Sequence, residues 1–75
     1  MQTFESILKG IEGKNAEIRI KNGSVLHGKI TAIDPRTMNI LLDDADLATT
    51  DGYVLGHYGV IILRGDQISF LAPLS

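Results

Sequence analysis

Asn22-Gly23 lies between two runs in which apolar and polar residues alternate, and this arrangement constrains the chain more tightly than any other feature. Upstream, Ala16, Ile18 and Ile20 alternate with Glu17, Arg19 and Lys21, the period of a strand with one face buried. Downstream, Ser24 to Ile33 carries Leu26, Gly28, Ile30 and Ala32 on one face before Ile33 breaks the phase. Asn-Gly supplies the two left-handed residues of a type I′ turn, so the second strand is predicted to fold straight back on the first. Gly28, lacking a side chain, is the natural place for a sharp bend.

Before the hairpin the period is helical. Phe4, Ile7, Leu8 and Ile11 share one face, Thr3 can cap, Glu5 lies in the first turn and Gly13 beyond the end, which predicts a helix over about residues 3–12. After the hairpin, Asp34-Pro35 ends the strand and opens a turn. Met38, Ile40 and Leu42 then alternate with Asn39, Leu41 and Asp43 as a third strand. Asp43 to Gly52 is polar and reads as a loop. Tyr53 to Leu63 reads as a long strand interrupted by Gly56 and Gly59, its end Val60-Ile61-Ile62-Leu63 apolar on both faces. Arg64-Gly65-Asp66 turns the chain, and Gln67 to Ala72 is a last strand stopped by Pro73. The sum is mostly β: a short N-terminal α-helix followed by a strongly bent, five-stranded antiparallel, partly open barrel, in one domain spanning residues 1–75.

A domain this small buries only about 60% of its unfolded surface, and no cysteine is present to staple it or bind metal as thiolate. Yet 44% of the residues are hydrophobic and the mean hydropathy is +0.13. A strand apolar on both faces needs cover from outside a thin sheet, and self-association supplies it. The formal net charge of -2 and pI near 5.5 argue against a broad basic grip on nucleic acid; any such contact is expected to be local, and the composition suits a few concentrated contacts repeated by symmetry. The longest apolar stretch, Gly59 to Leu63, is far short of the roughly 20 residues that span a bilayer. With no basic region followed by an apolar one at the amino terminus, the expected setting is cytoplasmic, without a membrane partner.

The serines lie in no nucleophile elbow, no thiol exists and no phosphate-cradling glycine loop precedes a helix. No enzyme, cofactor or small-molecule substrate is expected. Asp43, Asp44, Asp46 and Asp51 with Gly52 lack the spacing and closing glutamate of a calcium loop and read as a solvated loop. His27 and His57 fall on separate strands with no third ligand in pattern, so they read as strand surface residues and no metal site is expected. Asn22-Gly23-Ser24 as a glycosylation acceptor and Arg64-Gly65-Asp66 as an integrin-type tripeptide both require export, for which no signal is seen.

From Gly23 the chain carries a second glycine at Gly28, an aspartate at Asp34 and then Met38-Asn39 inside an apolar strand ending at Asp44. Val60 to Ile68 is an apolar run ending in Arg64-Gly65, followed by Asp66-Gln67-Ile68. These segments resemble the paired motifs of Sm-like (LSm) proteins: a first motif over about residues 15–44, a variable loop over about 45–53 and a second motif over about 54–72. With the helix, the resemblance spans essentially the whole chain. Arg64-Gly65 resembles the archaeal and eukaryotic type, whereas the bacterial RNA-chaperone branch has a Lys-His element there.

The resemblance implies a ribonucleoprotein subunit that forms a homo- or hetero-oligomeric ring of roughly six to eight copies, the fourth strand of one pairing with the fifth of the next. It further implies binding of single-stranded, U-rich RNA near the pore, each base held between a side chain of the first motif and the arginine of the second. That arginine is Arg64, whose guanidinium plane can stack on a base. Asn39 aligns with the asparagine that reads the base edge, and is expected on the opposite strand face from Met38 and Ile40. Gly65 is expected to permit close backbone approach, and Asp66 to orient Asn39 or Arg64 from behind. The turn Pro35-Arg36-Thr37 departs from the family, with three residues where most members have two. Thr37 takes the place of a stacking histidine or aromatic, leaving Arg36 as a substitute platform or the pocket weak. The alternative is a structural, self-assembling ring module whose base pocket is weakened or lost, binding protein partners or no RNA.

Overall fold

The computed structural model describes residues 2–74. Helix α1 (Phe4–Ile11) is followed by β1 (Asn15–Ile20), β2 (Val25–Ile33), β3 (Ile40–Ala48), β4 (Val54–Leu63), one turn of 3-10 helix (Gly65–Gln67) and β5 (Ile68–Pro73). The strands form one antiparallel sheet in the order β4-β3-β2-β1-β5. The mostly β fold expected from the periodicities is therefore observed. β4 and β5 are not paired with each other, so the sheet stays open with an edge at each end. No helix among the described residues is long and apolar enough to cross a membrane.

Thr3 caps α1: its Oγ1 accepts from the Ser6 amide at 3.1 Å, and the Ser6 hydroxyl donates back to the Thr3 carbonyl. Glu5 in the first turn and Lys9 in the last complement the helix dipole. Of the apolar face only Leu8 is buried, while Phe4 and Ile7 remain 65% and 45% exposed. The helix has more apolar surface than its own sheet covers.

The β1–β2 hairpin forms, with a different turn from the expected type I′. Only Gly23 is left-handed, at φ +94°, and Asn22 is not. The Gly23 amide donates to the Ile20 carbonyl and the Ile20 amide to the Ser24 carbonyl, both at 2.9 Å, while Asn22 Oδ1 accepts from the Ser24 amide. This is a three-residue loop with glycine at the bulge, the next most common hairpin connection. Asn22 contributes through its side chain instead of its backbone angle.

Two irregularities between β2 and β3 bend the sheet. His27 and Lys29 face Asp46 and Asp43, so Gly28 stands opposite two residues, of which Asp44 is left-handed at φ +53°. A Cβ on Gly28 would lie 2.9 Å from Ala45 Cβ, so the bend needs glycine there. The second bulge is at Thr31, since Ile30 and Ala32 face the consecutive residues Leu42 and Leu41. It moves the change of phase earlier than the sequence suggested: Ala32 is exposed and Ile33 turns inward.

The polar stretch from Asp43 is not a loop. β3 runs to Ala48, and only residues 49–53 turn, with Gly52 at φ +94° and the Thr49 amide donating to the Tyr53 carbonyl. Ala45 and Leu47 face the core cluster while Asp44 and Asp46 stay toward solvent, so this stretch is amphipathic, with a small alanine supplying part of its apolar face. Acidic composition hid that alternation.

Among the described residues, Ile18, Leu26, Ile30, Ile40 and Leu42 are the largest fully buried side chains, and no polar residue is buried with them. Ile30→Ala removes buried methyls at the centre of this core and should cost about 2 to 5 kcal/mol. Gly28→Val should cost about 1 to 3 kcal/mol by forcing β2 away from Ala45. Urea denaturation of each variant at fixed protein concentration measures both.

Candidate functional site

Strand register builds the site. Ile33 pairs with Ile40 and Ile40 with Leu63, so the next residues beyond those pairs, Asp34, Asn39 and Arg64, converge at one end of three adjacent strands. The Asp34 amide donates to the Asn39 carbonyl at 3.0 Å, continuing the β2–β3 ladder by one bond.

The turn from Asp34 to Asn39 accommodates its residues compactly. The Met38 amide donates to the Asp34 carbonyl at 2.7 Å, Asp34 Oδ1 accepts from the Arg36 amide at 2.9 Å and Thr37 Oγ1 accepts from the Asn39 amide at 3.2 Å. The Arg36 amide holds the Asp34 carboxyl below the usual carboxylate range; burial opposes it, and the Thr37 hydroxyl and the Arg36 charge assist. Met38 is left-handed at φ +61°, in the turn ahead of β3. Strand alternation therefore begins at Ile40, and Asn39 is not placed opposite Met38 by the pleat. Its direction comes from the turn.

Asn39 is fixed from the second motif. Its Oδ1 accepts the Gly65 amide at 2.8 Å in a partly buried setting. A Cβ on Gly65 would overlap the Thr37 carbonyl oxygen and lie 2.8 Å from the Met38 carbonyl carbon, so only glycine allows the two backbones this close. Close backbone approach at Gly65 is thus observed. The orienting group is the Gly65 amide and not Asp66, which is exposed in the 3-10 turn and makes no hydrogen bond or ion pair to Asn39 or Arg64 among the described residues.

Arg64 immediately precedes that turn in extended conformation, with its carbonyl accepting from the Gln67 amide at 3.0 Å. Its side chain is exposed and has no carboxylate partner among the described residues. Arg36 is at the tip of the neighbouring turn, 90% exposed and 3.9 Å from Asp34. Thr37 has its hydroxyl oxygen engaged by the Asn39 amide.

The arrangement offers an amide whose oxygen is already bonded, leaving two N–H donors, at the same end of the sheet as Arg64, a planar cation with no carboxylate partner among the described residues. Such a pair suits a flat group carrying carbonyl acceptors. Sequence reasoning named the side chains but missed the Gly65 amide and the Asp34 bonds that organise the turn, because backbone groups leave no trace in residue identity. Two polar signals were present: Asp34 and Thr37 each stand two residues before an amide that they cap. No group of three or more His, Cys, Asp and Glu able to hold a metal occurs among the described residues.

Residues 6–73 match the model of the LSM domain family. An snRNP Sm-like protein of Thermococcus kodakarensis is 36% identical over 61 residues, covering 81% of this chain and 78% of its own. The U6 snRNA-associated Sm-like protein LSm6 of Mycosarcoma maydis is 31% identical over 67 residues, covering 89% and 76%. Among solved structures, the Pyrococcus abyssi Sm protein in complex with a uridine heptamer superposes with a TM-score of 0.87 at 26% identity, over 97% of this chain and 100% of that one. A heptameric archaeal Sm protein superposes with a TM-score of 0.81 at 26% identity, over 93% and 98%. The continuous match across both motifs, the paired relatives and the shared topology agree: the chain belongs to the LSM domain family, in its archaeal and eukaryotic type.

Proposed function

We propose that the chain is a subunit of a ring that binds single-stranded, U-rich RNA near its pore, with Asn39 and Arg64 receiving one base per subunit. The observation that carries this reading is the hydrogen bond from the Gly65 amide to Asn39 Oδ1, which fixes the Asn39 amide donors at the end of the sheet that also carries Arg64. Uracil presents carbonyl acceptors on its edge and a flat face for Arg64. The Pyrococcus abyssi relative, solved with a uridine heptamer, supports the choice of ligand.

Ring formation is supported by the two free edges. Val60 and Ile62 on β4 are 62% and 73% exposed. Beside β5 lies an apolar groove of about 340 Å³ lined by Phe4, Ile7, Met38, Ile68, Phe70 and Pro73. A β4 edge added to β5 of another copy satisfies unpaired backbone groups and covers both apolar surfaces. The heptameric archaeal Sm protein supports closure into a ring. No catalytic step belongs to the reading, and a cytoplasmic setting is part of it.

A second reading, a ring module with a weakened base pocket, is favoured by one observation: Thr37 offers no ring to stack and its hydroxyl serves Asn39. In the RNA-binding reading Arg36, at the exposed turn tip, would supply the missing platform, and Asp66 would act only through the charge balance around Arg64.

Fluorescence anisotropy with labelled oligo-U and oligo-A at low salt separates the two. Stacking is worth about 1 to 3 kcal/mol per base, so Arg64→Ala should weaken oligo-U binding about fivefold or more, and Asn39→Ala should narrow the preference for oligo-U over oligo-A. Binding indifferent to both substitutions would leave only the assembly module. Gly65→Ala should lose both stability and oligo-U affinity, because the added methyl separates the two motifs. Native mass spectrometry should find an oligomer for the unsubstituted chain and smaller species for Ile62→Lys, which places a charge on the β4 edge.

A further inference from the structure

The acidic stretch of β3 takes part in a row of ionisable groups that crosses four strands. Glu17 on β1 stands opposite His27 on β2, His27 opposite Asp46 on β3, and Asp46 opposite His57 on β4. Directly opposed residues share a face, so carboxylate and imidazole alternate along one line. His27 Nε2 lies 3.1 Å from Glu17 Oε1, which also takes Arg19 at 3.3 Å through its other oxygen. At the far end, His57 bridges two acids, with Nδ1 2.6 Å from Asp46 and Nε2 2.9 Å from Asp44. Lys29 on β2 opposes Asp43 on β3 beside the row, and β5 contributes only Ala72 opposite Glu17.

The bridge has a protonation state written into its geometry. A neutral imidazole has one N–H and one lone pair, so it would donate to one carboxylate and turn its lone pair on the other. Only the imidazolium donates to both. Asp44 is the left-handed residue of the bulge opposite Gly28, a conformation that aspartate tolerates better than most non-glycine residues and that sets its carboxylate toward β4 within reach of His57. His57 belongs to β4, an edge strand.

We propose that the His57 bridge is a proton-operated clamp: protonated, it ties the bulge at Asp44 to β4 and orders the β3–β4 arm; deprotonated, it loosens the arm and weakens the pairing of β4 with a second copy. The Asp46 hydrogen bond raises the His57 titration above the ordinary histidine value, burial opposes it, and the charges of Asp46 and Asp44 add to it. Because the folded-state value is the raised one, the clamp's contribution is fully present below the ordinary histidine value and is lost as pH rises through the raised one. Solvent exposure makes it sensitive to salt as well.

Three measurements on the full chain test this. Ring nitrogen NMR should show His57 titrating above an ordinary histidine, with Asp46→Asn moving it down. Hydrogen exchange, corrected for the intrinsic pH dependence, should show protection of the amides of Ala45, Asp46 and Tyr58 falling severalfold from pH 6 to pH 8. His57→Gln should abolish that change and His27→Gln should preserve it. A His57 titration at or below the ordinary value, or the same protection ratio in His57→Gln as in the unsubstituted chain, would overturn the clamp. The final step, to pairing, rests on the ring reading and has its own readout: native mass spectra should shift toward smaller species at pH 8. An arm that loosens without such a shift would overturn that step alone.

Discussion

Two backbones meet where Gly65 lies against Thr37 and Met38, and the end of the sheet that carries Asn39 and Arg64 is organised by that approach. Nothing but hydrogen fits on the Gly65 α-carbon, so the first and second motifs, 26 residues apart at Asn39 and Gly65, are set against each other by the absence of a side chain. The same approach delivers the amide hydrogen that satisfies Asn39. Packing and polar satisfaction are therefore one interaction at this point. A small loss in either would move the amide donors relative to the guanidinium, and flat ligands are sensitive to displacements of that size.

Much of the architecture was legible because it follows from periodicity. The helix over Phe4–Ile11, the hairpin at Gly23, the bend at Gly28 and the strands on either side of Arg64 all come from apolar spacing and glycine placement. The errors share a physical origin. Asn22-Gly23 was read as two left-handed residues, yet the right-handed option with a bulge at Gly23 was available and Asn22 used its carboxamide instead. The polar stretch from Asp43 reads as a loop because its charge outweighs the inward alternation of Ala45 and Leu47. Ala32 was placed inside because the bulge at Thr31 has no compositional mark.

At the site, side-chain identity was legible and orientation was not. Asn39 and Arg64 were named from the motif, but the pleat argument for Asn39 failed because Met38 leaves the strand conformation. Asp66 was the natural candidate to orient them by charge, and an uncharged backbone amide does so. The general reason is that a residue code records what a side chain can do, whereas a turn is governed by main-chain donors whose positions depend on distant packing. The acidic net charge fits this economy: few cations are present, and Arg64 is left without a carboxylate partner among the described residues, while Arg19 and Arg36 each have one.

The place of β5 in the sheet has a kinetic side. β1 through β4 follow one another as neighbours, each closing a short loop onto the strand before it. β5 instead returns to β1, pairing Ala16 with Pro73 across nearly the full length of the chain, and contacts of that separation form slowly because they close the largest loop. Until that strand docks, β1 is itself an edge and the apolar groove beside α1 has lost its other wall. The chain thus acquires its second permanent edge in the same step that completes its own core, which couples the maturation of the monomer to its competence to recruit a neighbour.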